Sequence, residues 1–240
     1  MLENGSKEIQ NLIENINCYY IGPESADKDS FLLNGIIENY SLVTIYTIWE
    51  SYACDLVCEW FKENREYVID SDLQFDYLQS MLKSSETRKE LKRQIENNSF
   101  NLKNIQIKEY IGSNNLWYKN FREIFKKFNS LNFDELKILL IEDSEMIDIM
   151  KSFNTFQYFE KNDDMQLPSN APNLKSNPSS DIKEKYMCGY INALVNARNT
   201  LAHGYKSPKQ NYDREELINI AKFISRILVI EDTFLQKYSK

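Results

Sequence analysis

The stretch LLNGIIENYSLVTIYTIWESYACDLVCEWF, residues 32–61, carries the strongest structural signal of the chain. Apolar residues recur along it every three or four positions, which is the spacing of a helix that buries one face. The residues that follow this rhythm are Leu33, Ile36, Ile37, Tyr40, Val43, Tyr46, Trp49, Tyr52, Ala53, Leu56, Val57 and Trp60. We therefore predict one long helix over about 30–63, which forms the centre of the core.

The rest of the chain also favours helices. Glycine (6) and proline (5) are scarce among 240 residues, so few turns are expected. Further helices are predicted over 6–20, twice between 72 and 98, from Ser113 onward, over 134–153, over 182–203 and over 213–234. The last has the clearest start, because Asp213 and Glu216 have the spacing of a capping box, and Tyr212 and Leu217 that of a hydrophobic staple.

Two segments depart from this pattern. Residues 105–111 alternate weakly between apolar and polar, which predicts a short strand. Residues 161–181 contain three of the five prolines among Ser, Asn and Asp, which predicts a long irregular loop. No repeat and no change of composition marks a domain boundary. The prediction is a single all-α domain over 1–240, with core helices at about 30–63 and 182–234 and a helical insertion at about 72–160.

Charge and composition exclude several classes of function. A net charge of −7 argues against general binding of polyanions, so any contact with nucleic acid must be local. Between residues 183 and 209 the basic side chains do outnumber the acidic one; they are Lys183, Lys185, Arg198, Lys206 and Lys209, against Glu184. The four cysteines form no CxxC pair, so no metal site is predicted, and Cys54 and Cys58 are expected in the core.

The chain is expected to be cytoplasmic. MLENGSKEIQ, residues 1–10, lacks the basic and apolar regions of a secretory signal. The most apolar part of the chain, about 36–61, is interrupted by acidic side chains that a bilayer would penalise, so no membrane span is predicted.

The candidate site lies in ARNTLAHGY, residues 197–205, which holds the only histidine of the chain. Asn199 and His203 are four residues apart and share a face of the predicted helix, whereas Arg198 is offset from His203 by roughly 140°. Arg198 joins the pair only if the last turn loosens or a second chain completes the site. Two structural alternatives exist: His203 binds the free carbonyls at the helix end, or Arg198 pairs with the core carboxylate of Glu50.

The same residues resemble a known family. Arg198 and His203 match the R-x4-H motif of the HEPN superfamily, in which a polar residue such as Asn199 commonly follows the arginine. RNTLAHGY also resembles the R-x4-H-x-Y motif of HEPN toxins that pair with MNT-type nucleotidyltransferase antitoxins, with Tyr205 at the tyrosine. Residues 45–61 and 113–129 are similar to the RiboL-PSP-HEPN branch, so the resemblance covers about 30–235.

The resemblance implies a helical homodimer that cleaves RNA without a metal or other cofactor, often as a toxin or an antiviral effector. Arg198 would bind phosphate, His203 would transfer protons, and Asn199 would orient the imidazole or bind phosphate. Glu50 and Tyr205 would lie beside the substrate or regulate its access, Tyr205 as the residue that a nucleotidyltransferase antitoxin modifies. The implied partners are therefore RNA, a second copy of the chain and such an antitoxin.

The chemistry of these side chains suits that role. Metal-independent cleavage needs a base for the 2′-hydroxyl, an acid for the leaving 5′-oxygen and a cation for the developing charge. Imidazole titrates near neutral pH, and guanidinium donates to two phosphate oxygens. The alternatives are a catalytically inactive module that dimerises and binds RNA or protein, and a purely structural helical domain of a defence complex; Tyr205 is then an ordinary loop residue.

Overall fold

The computed structural model describes residues 2–20, 28–71, 89, 93, 116–126, 128, 131–152, 179–202 and 212–239. Within these ranges the chain is helical and contains no strand, which confirms the all-α prediction. The helices are α1 (Leu2–Tyr19), α2 (Lys28–Ser71), α3 (Tyr118–Lys126), α4 (Phe133–Glu142), α5 (Ser144–Ser152), α6 (Ser180–Ala202) and α7 (Arg214–Lys237).

Helix α2 is the central element, as predicted, and it continues eight residues beyond the predicted end. One face of it is fully buried, and the side chains on that face include Leu42, Ile45, Trp49, Ala53 and Val57. Helices α1, α6 and α7 all pack against α2, and α1 also packs against α7. From Tyr46 onward, the residues of the apolar rhythm are buried under these helices, apart from the half-buried Tyr52. The prediction is wrong for the first part of α2, where Leu33, Ile36, Tyr40 and Val43 are exposed.

Helices α6 and α7 begin close to the predicted positions. The Asp213 side chain accepts the backbone N–H of Glu216 at 2.8 Å, and the Glu216 carboxylate accepts that of Asp213 at 3.1 Å, which confirms the capping box. Tyr212 and Leu217, the two predicted staple residues, are both buried. Helix α6 begins at Ser180, so the predicted irregular loop ends two residues too late.

The single helix predicted over 134–153 is wrong, because Asp143 divides it into α4 and α5. Its backbone is extended (φ −66°, ψ 122°), and its side chain accepts the backbone N–H of Met146 at 2.8 Å. The same carboxylate accepts two hydrogen bonds from Arg226 of α7, at 2.9 and 2.6 Å. The helix is thus interrupted at Asp143, whose side chain instead caps α5 and forms an ion pair with Arg226.

The helix predicted from Ser113 is observed from Tyr118, and the two residues before it, Leu116 and Trp117, are not helical. Its aromatic side chains pack in several directions: Phe121 meets Trp49 of α2 at 4.9 Å between ring centroids, and Phe125 meets Phe234 of α7 at 5.9 Å. This short helix therefore joins α2 to the C-terminal part of the core.

Several predictions concern residues outside the described ranges. They are the two helices between 72 and 98 (except Lys89 and Arg93), the strand at 105–111, the first residues of the helix predicted from Ser113 and the loop over 161–178. Among the described helices, none has both the length and the apolar character that a membrane span requires.

Candidate functional site

Arg198 lies on the last described turn of α6, above the ring of Tyr46 on α2. Its guanidinium carbon is 4.9 Å from the ring centroid, a cation–π contact. The preceding residues explain the position: Leu194, Val195 and Ala197 are buried and hold α6 against the core, while Arg198 remains partly exposed. The cation is thus set at the edge of the core with one face against an aromatic ring.

Tyr46 is in turn fixed by a hydrogen-bonded arrangement, which we call the Leu116 clamp and which consists of Tyr46, Trp49 and Leu116. The Tyr46 hydroxyl accepts the backbone N–H of Leu116 at 3.2 Å, and the indole N–H of Trp49 donates to the Leu116 carbonyl at 2.9 Å. Both aromatic side chains are fully buried. Two side chains of α2 therefore hold the two peptide groups on either side of the Leu116 Cα, in the segment before α3.

The Tyr46 hydroxyl also donates to the Glu50 carboxylate at 2.8 Å. Burial of the phenol, and then its hydrogen bond to Glu50, raise the pKa of Tyr46 well above its ordinary value of 10.0. Tyr46 therefore stays a neutral phenol at physiological pH. It supports Arg198 through its ring and does not neutralise the cation.

Asn199 contacts Arg198 directly, because the Nη1 group of Arg198 donates to the Asn199 side-chain oxygen at 3.0 Å. A guanidinium can only donate, so this bond determines which end of the amide is the oxygen. The amide nitrogen of Asn199 keeps its two N–H groups for another acceptor. Arg198 and Asn199 together present donors on the same side of α6.

The alternative in which Arg198 pairs with Glu50 is wrong. Glu50 is bonded to the Tyr46 hydroxyl, and the interactions of Arg198 within the described ranges are those with Asn199 and Tyr46. No carboxylate of the described residues therefore lies within ion-pair distance of Arg198. An arginine in this state, held in place and partly exposed, is suited to bind an external anion.

His203 and Tyr205 lie outside the described residues. The predicted contact between Asn199 and His203 stays a prediction, and so does the position of Tyr205. The same holds for the C-terminal capping role of His203. The structure thus brings together three of the five predicted site residues, Arg198 and Asn199 by direct contact and Glu50 through Tyr46.

An exposed apolar row on α2 leads toward this site. It consists of Leu33, Ile36, Tyr40 and Val43, whose exposed fractions are 39, 65, 60 and 39 %, and we call it the α2 stripe. Its spacing of three, four and three residues is that of a helix–helix seam. Glu50 lies seven residues beyond Val43, two turns farther along the same face. The α2 stripe and the candidate site therefore share one side of the helix.

The sequence did not reveal Tyr46 as a site residue, because its position in the apolar rhythm of α2 indicated only a core aromatic. One signal was available, since Tyr46 and Glu50 are four residues apart and can bond along a helix. Nothing in the sequence indicated Leu116, whose contribution is a backbone N–H and carbonyl.

Within the described part of the chain, no group of three or more His, Cys, Asp or Glu side chains is placed to hold a metal ion. No model of a known protein family matches the chain, and no curated protein or solved structure matches it significantly.

Proposed function

We propose that the protein is a metal-independent endoribonuclease that cleaves RNA through its 2′-hydroxyl. One observation carries the proposal: Arg198 is held over a buried, neutral tyrosine, with no carboxylate of the described residues within ion-pair distance, and it is five residues before the only histidine. A fixed cation supplies the charge stabilisation that this reaction needs, and an imidazole supplies one of its two proton transfers.

The proposed reaction proceeds by in-line displacement at phosphorus. The 2′-oxygen gives its proton to a basic imidazole and bonds to phosphorus, while the bond to the 5′-oxygen breaks and that oxygen takes a proton from an acid. The products are a 2′,3′-cyclic phosphate and a 5′-hydroxyl. Arg198 donates to the non-bridging oxygens, where negative charge develops, and the Asn199 amide nitrogen donates to phosphate or to the imidazole.

One histidine cannot readily act as base and acid in the same step, so the proposal includes a homodimer in which two copies of the motif face one cleft. The α2 stripe supports this part, because it is an exposed apolar row with the spacing of a helix–helix seam on the face that bears Glu50. A toxin or antiviral role, with Tyr205 as the site of modification by a nucleotidyltransferase antitoxin, rests on the resemblance of RNTLAHGY to such toxins.

The test is incubation of the purified full chain with a panel of RNAs in excess EDTA. We expect cleavage with 2′,3′-cyclic phosphate ends. We expect His203→Ala and Arg198→Ala each to lower the rate by about a hundredfold or more, which is the usual size of a lost proton-transfer group or charge stabiliser. An RNA with 2′-O-methyl groups should not be cut.

Arg214→Ala is the matched control, because Arg214 is an exposed arginine at the start of α7 whose guanidinium bonds to Asn17. It should cleave like the unmodified chain. If a folded, dimeric protein cuts no RNA in the panel, or if His203→Ala retains full activity, the enzyme proposal is wrong. Binding of RNA without cleavage would instead favour the inactive dimerisation module.

A further inference from the structure

A cavity that Arg198 does not line lies between α3, the start of α4 and the start of α6. Its volume is about 550 Å³, within the range of small-molecule sites. Five charged side chains line it: Arg122 and Lys126 from α3, Asp134 and Lys137 from α4, and Glu184 from α6. The cavity shares no lining residue with the candidate site.

The charges in this cavity are unevenly paired. Lys137 lies 3.1 Å from Asp134 and 3.6 Å from Glu184, and Glu184 also accepts the Tyr118 hydroxyl at 2.8 Å. Both carboxylates of the lining are therefore engaged on the α4 and α6 side. On the α3 side, the Glu123 carboxylate lies 3.4 Å from Lys126 and 3.9 Å from Arg122, so it partly offsets these two cations, although Glu123 does not line the cavity.

Arg122 is the strongest hydrogen-bond donor that the cavity offers to an anion. Its Nε is buried and has no hydrogen-bond partner among the described residues, and the nearest Glu123 oxygen is 3.9 Å away, beyond hydrogen-bond distance. A buried guanidinium N–H without an acceptor is costly. A ligand in the cavity does not reach this fully buried atom, so an anion between Arg122 and Lys126 would accept from the other guanidinium N–H groups and from the ammonium group.

The remaining wall is apolar. Phe128, Leu131 and Phe133 line it, each almost fully buried in the fold. A ligand that enters far enough to reach Arg122 thus meets hydrocarbon on one side and cations on the other. This arrangement is typical of sites that orient a small organic anion by its charged end.

We propose that this cavity binds a phosphomonoester with a compact, planar apolar body. The phosphate lies between Arg122 and Lys126, and the body lies against Phe128, Leu131 and Phe133. A phosphate offers three acceptor oxygens to these two donors, whereas a carboxylate offers two. This site is independent of the proposed RNA cleavage.

The test is calorimetric titration of the full chain with three probes, phenyl phosphate, inorganic phosphate and phenol. We expect saturable binding of phenyl phosphate, weaker binding of inorganic phosphate, and no measurable binding of phenol. Arg122→Gln should weaken phenyl phosphate binding by about tenfold or more, and Lys126→Gln by about threefold, since each removes one charged donor.

Two further variants separate binding from folding. Lys119→Gln removes an exposed lysine of the same helix that does not line the cavity, and it should leave the affinity unchanged. Asp134→Asn removes an exposed negative charge and releases Lys137, so it should tighten binding, which loss of structure cannot do. The proposal is overturned if phenyl phosphate does not saturate, if Arg122→Gln binds like the unmodified chain, or if inorganic phosphate binds equally well.

Discussion

Glu231 is the most unusual single residue of the core. It lies on α7, its side chain is fully buried, and neither carboxylate oxygen has a hydrogen-bond partner among the described residues. Burial raises the pKa of Glu231 well above its ordinary value of 4.5. Burial, followed by the proximity of Glu231, also raises the pKa of the Cys54 thiol on α2. The fold therefore keeps this carboxyl in its protonated form.

Glu231→Gln should change how stability depends on pH. The folded chain holds this proton more tightly than the unfolded chain does. The stability that this group contributes is therefore fully present below about pH 4.5 and is lost as the pH rises toward the folded pKa. Over that interval the free energy of unfolding should fall by about 1.4 kcal/mol per pH unit from this group alone. Glutamine cannot ionise, so the variant should lose this slope in urea unfolding as the pH rises above about 4.5.

Glu215→Gln is the control for this measurement, because Glu215 is an exposed glutamate on the same helix. Its profile should run parallel to that of the unmodified chain. Burial also raises the pKa of Glu38 and Glu216, so some slope should remain in the Glu231 variant. Parallel profiles for Glu231→Gln and the unmodified chain would contradict the argument.

The break between α4 and α5 shows how one residue connects elements. Asp143 caps α5 through the Met146 N–H and pairs with Arg226 of α7, and the Arg226 hydrogen bonds lower the pKa of Asp143. Asp143→Ala should lower the free energy of unfolding at pH 7 by roughly 2 kcal/mol, because it removes a cap and a two-point ion pair. Asp143→Asn keeps an acceptor for the cap and should cost less.

Urea unfolding of both variants measures these costs, with Asp148→Ala as the control. Asp148 lies on α5, is 75 % exposed, and pairs with Lys151 one turn away. Its removal should change the stability by less than about 0.5 kcal/mol. The interpretation fails if Asp143→Ala is as mild as Asp148→Ala, or if Arg226→Gln has no effect.

Elements defined by local signals were predictable from the sequence. The apolar rhythm of α2 and the capping box of α7 depend on residues within a few positions of each other, and both are confirmed. The break at Asp143 depends on Arg226, 83 residues away, and the late start of α3 follows a peptide that Tyr46 binds from 70 residues away. A hydrogen bond between residues so far apart in the chain produces no periodic pattern in the sequence.

The candidate site follows the same rule. Arg198 and Asn199 were found because they are adjacent in a motif, whereas their support by Tyr46 and the cavity around Arg122 required α2, α3 and α6 to be placed together. The pairing of Arg198 with Glu50 was wrong for a related reason. The sequence shows that two charges are available, but it does not show which side chain lies between them.

At the scale of the whole molecule, the α2 stripe is the surface through which the proposed homodimer forms. Ile36 is 65 % exposed at its centre, so Ile36→Asp should place a charge in the interface and shift the protein to a monomer at micromolar concentration. Sedimentation velocity measures this shift from dimer to monomer directly. RNA cleavage should fall together with the dimer if two copies of the motif form one site.

Ile138→Asp is the matched control, since Ile138 is also an exposed isoleucine (47 %) but lies on α4. It should leave the mass of the particle unchanged. A monomeric unmodified chain, or an Ile36→Asp variant that remains dimeric, would exclude the α2 stripe as the interface.

The Leu116 clamp has a consequence for hydrogen exchange. Leu116 lies outside any helix, yet its backbone N–H donates to the buried Tyr46 hydroxyl, and its carbonyl accepts from the buried Trp49 indole. Amides in irregular segments usually exchange rapidly with solvent deuterium, whereas this one exchanges only when its hydrogen bond to Tyr46 opens. The deuteration rate of Leu116 therefore measures how often the support beneath Arg198 opens.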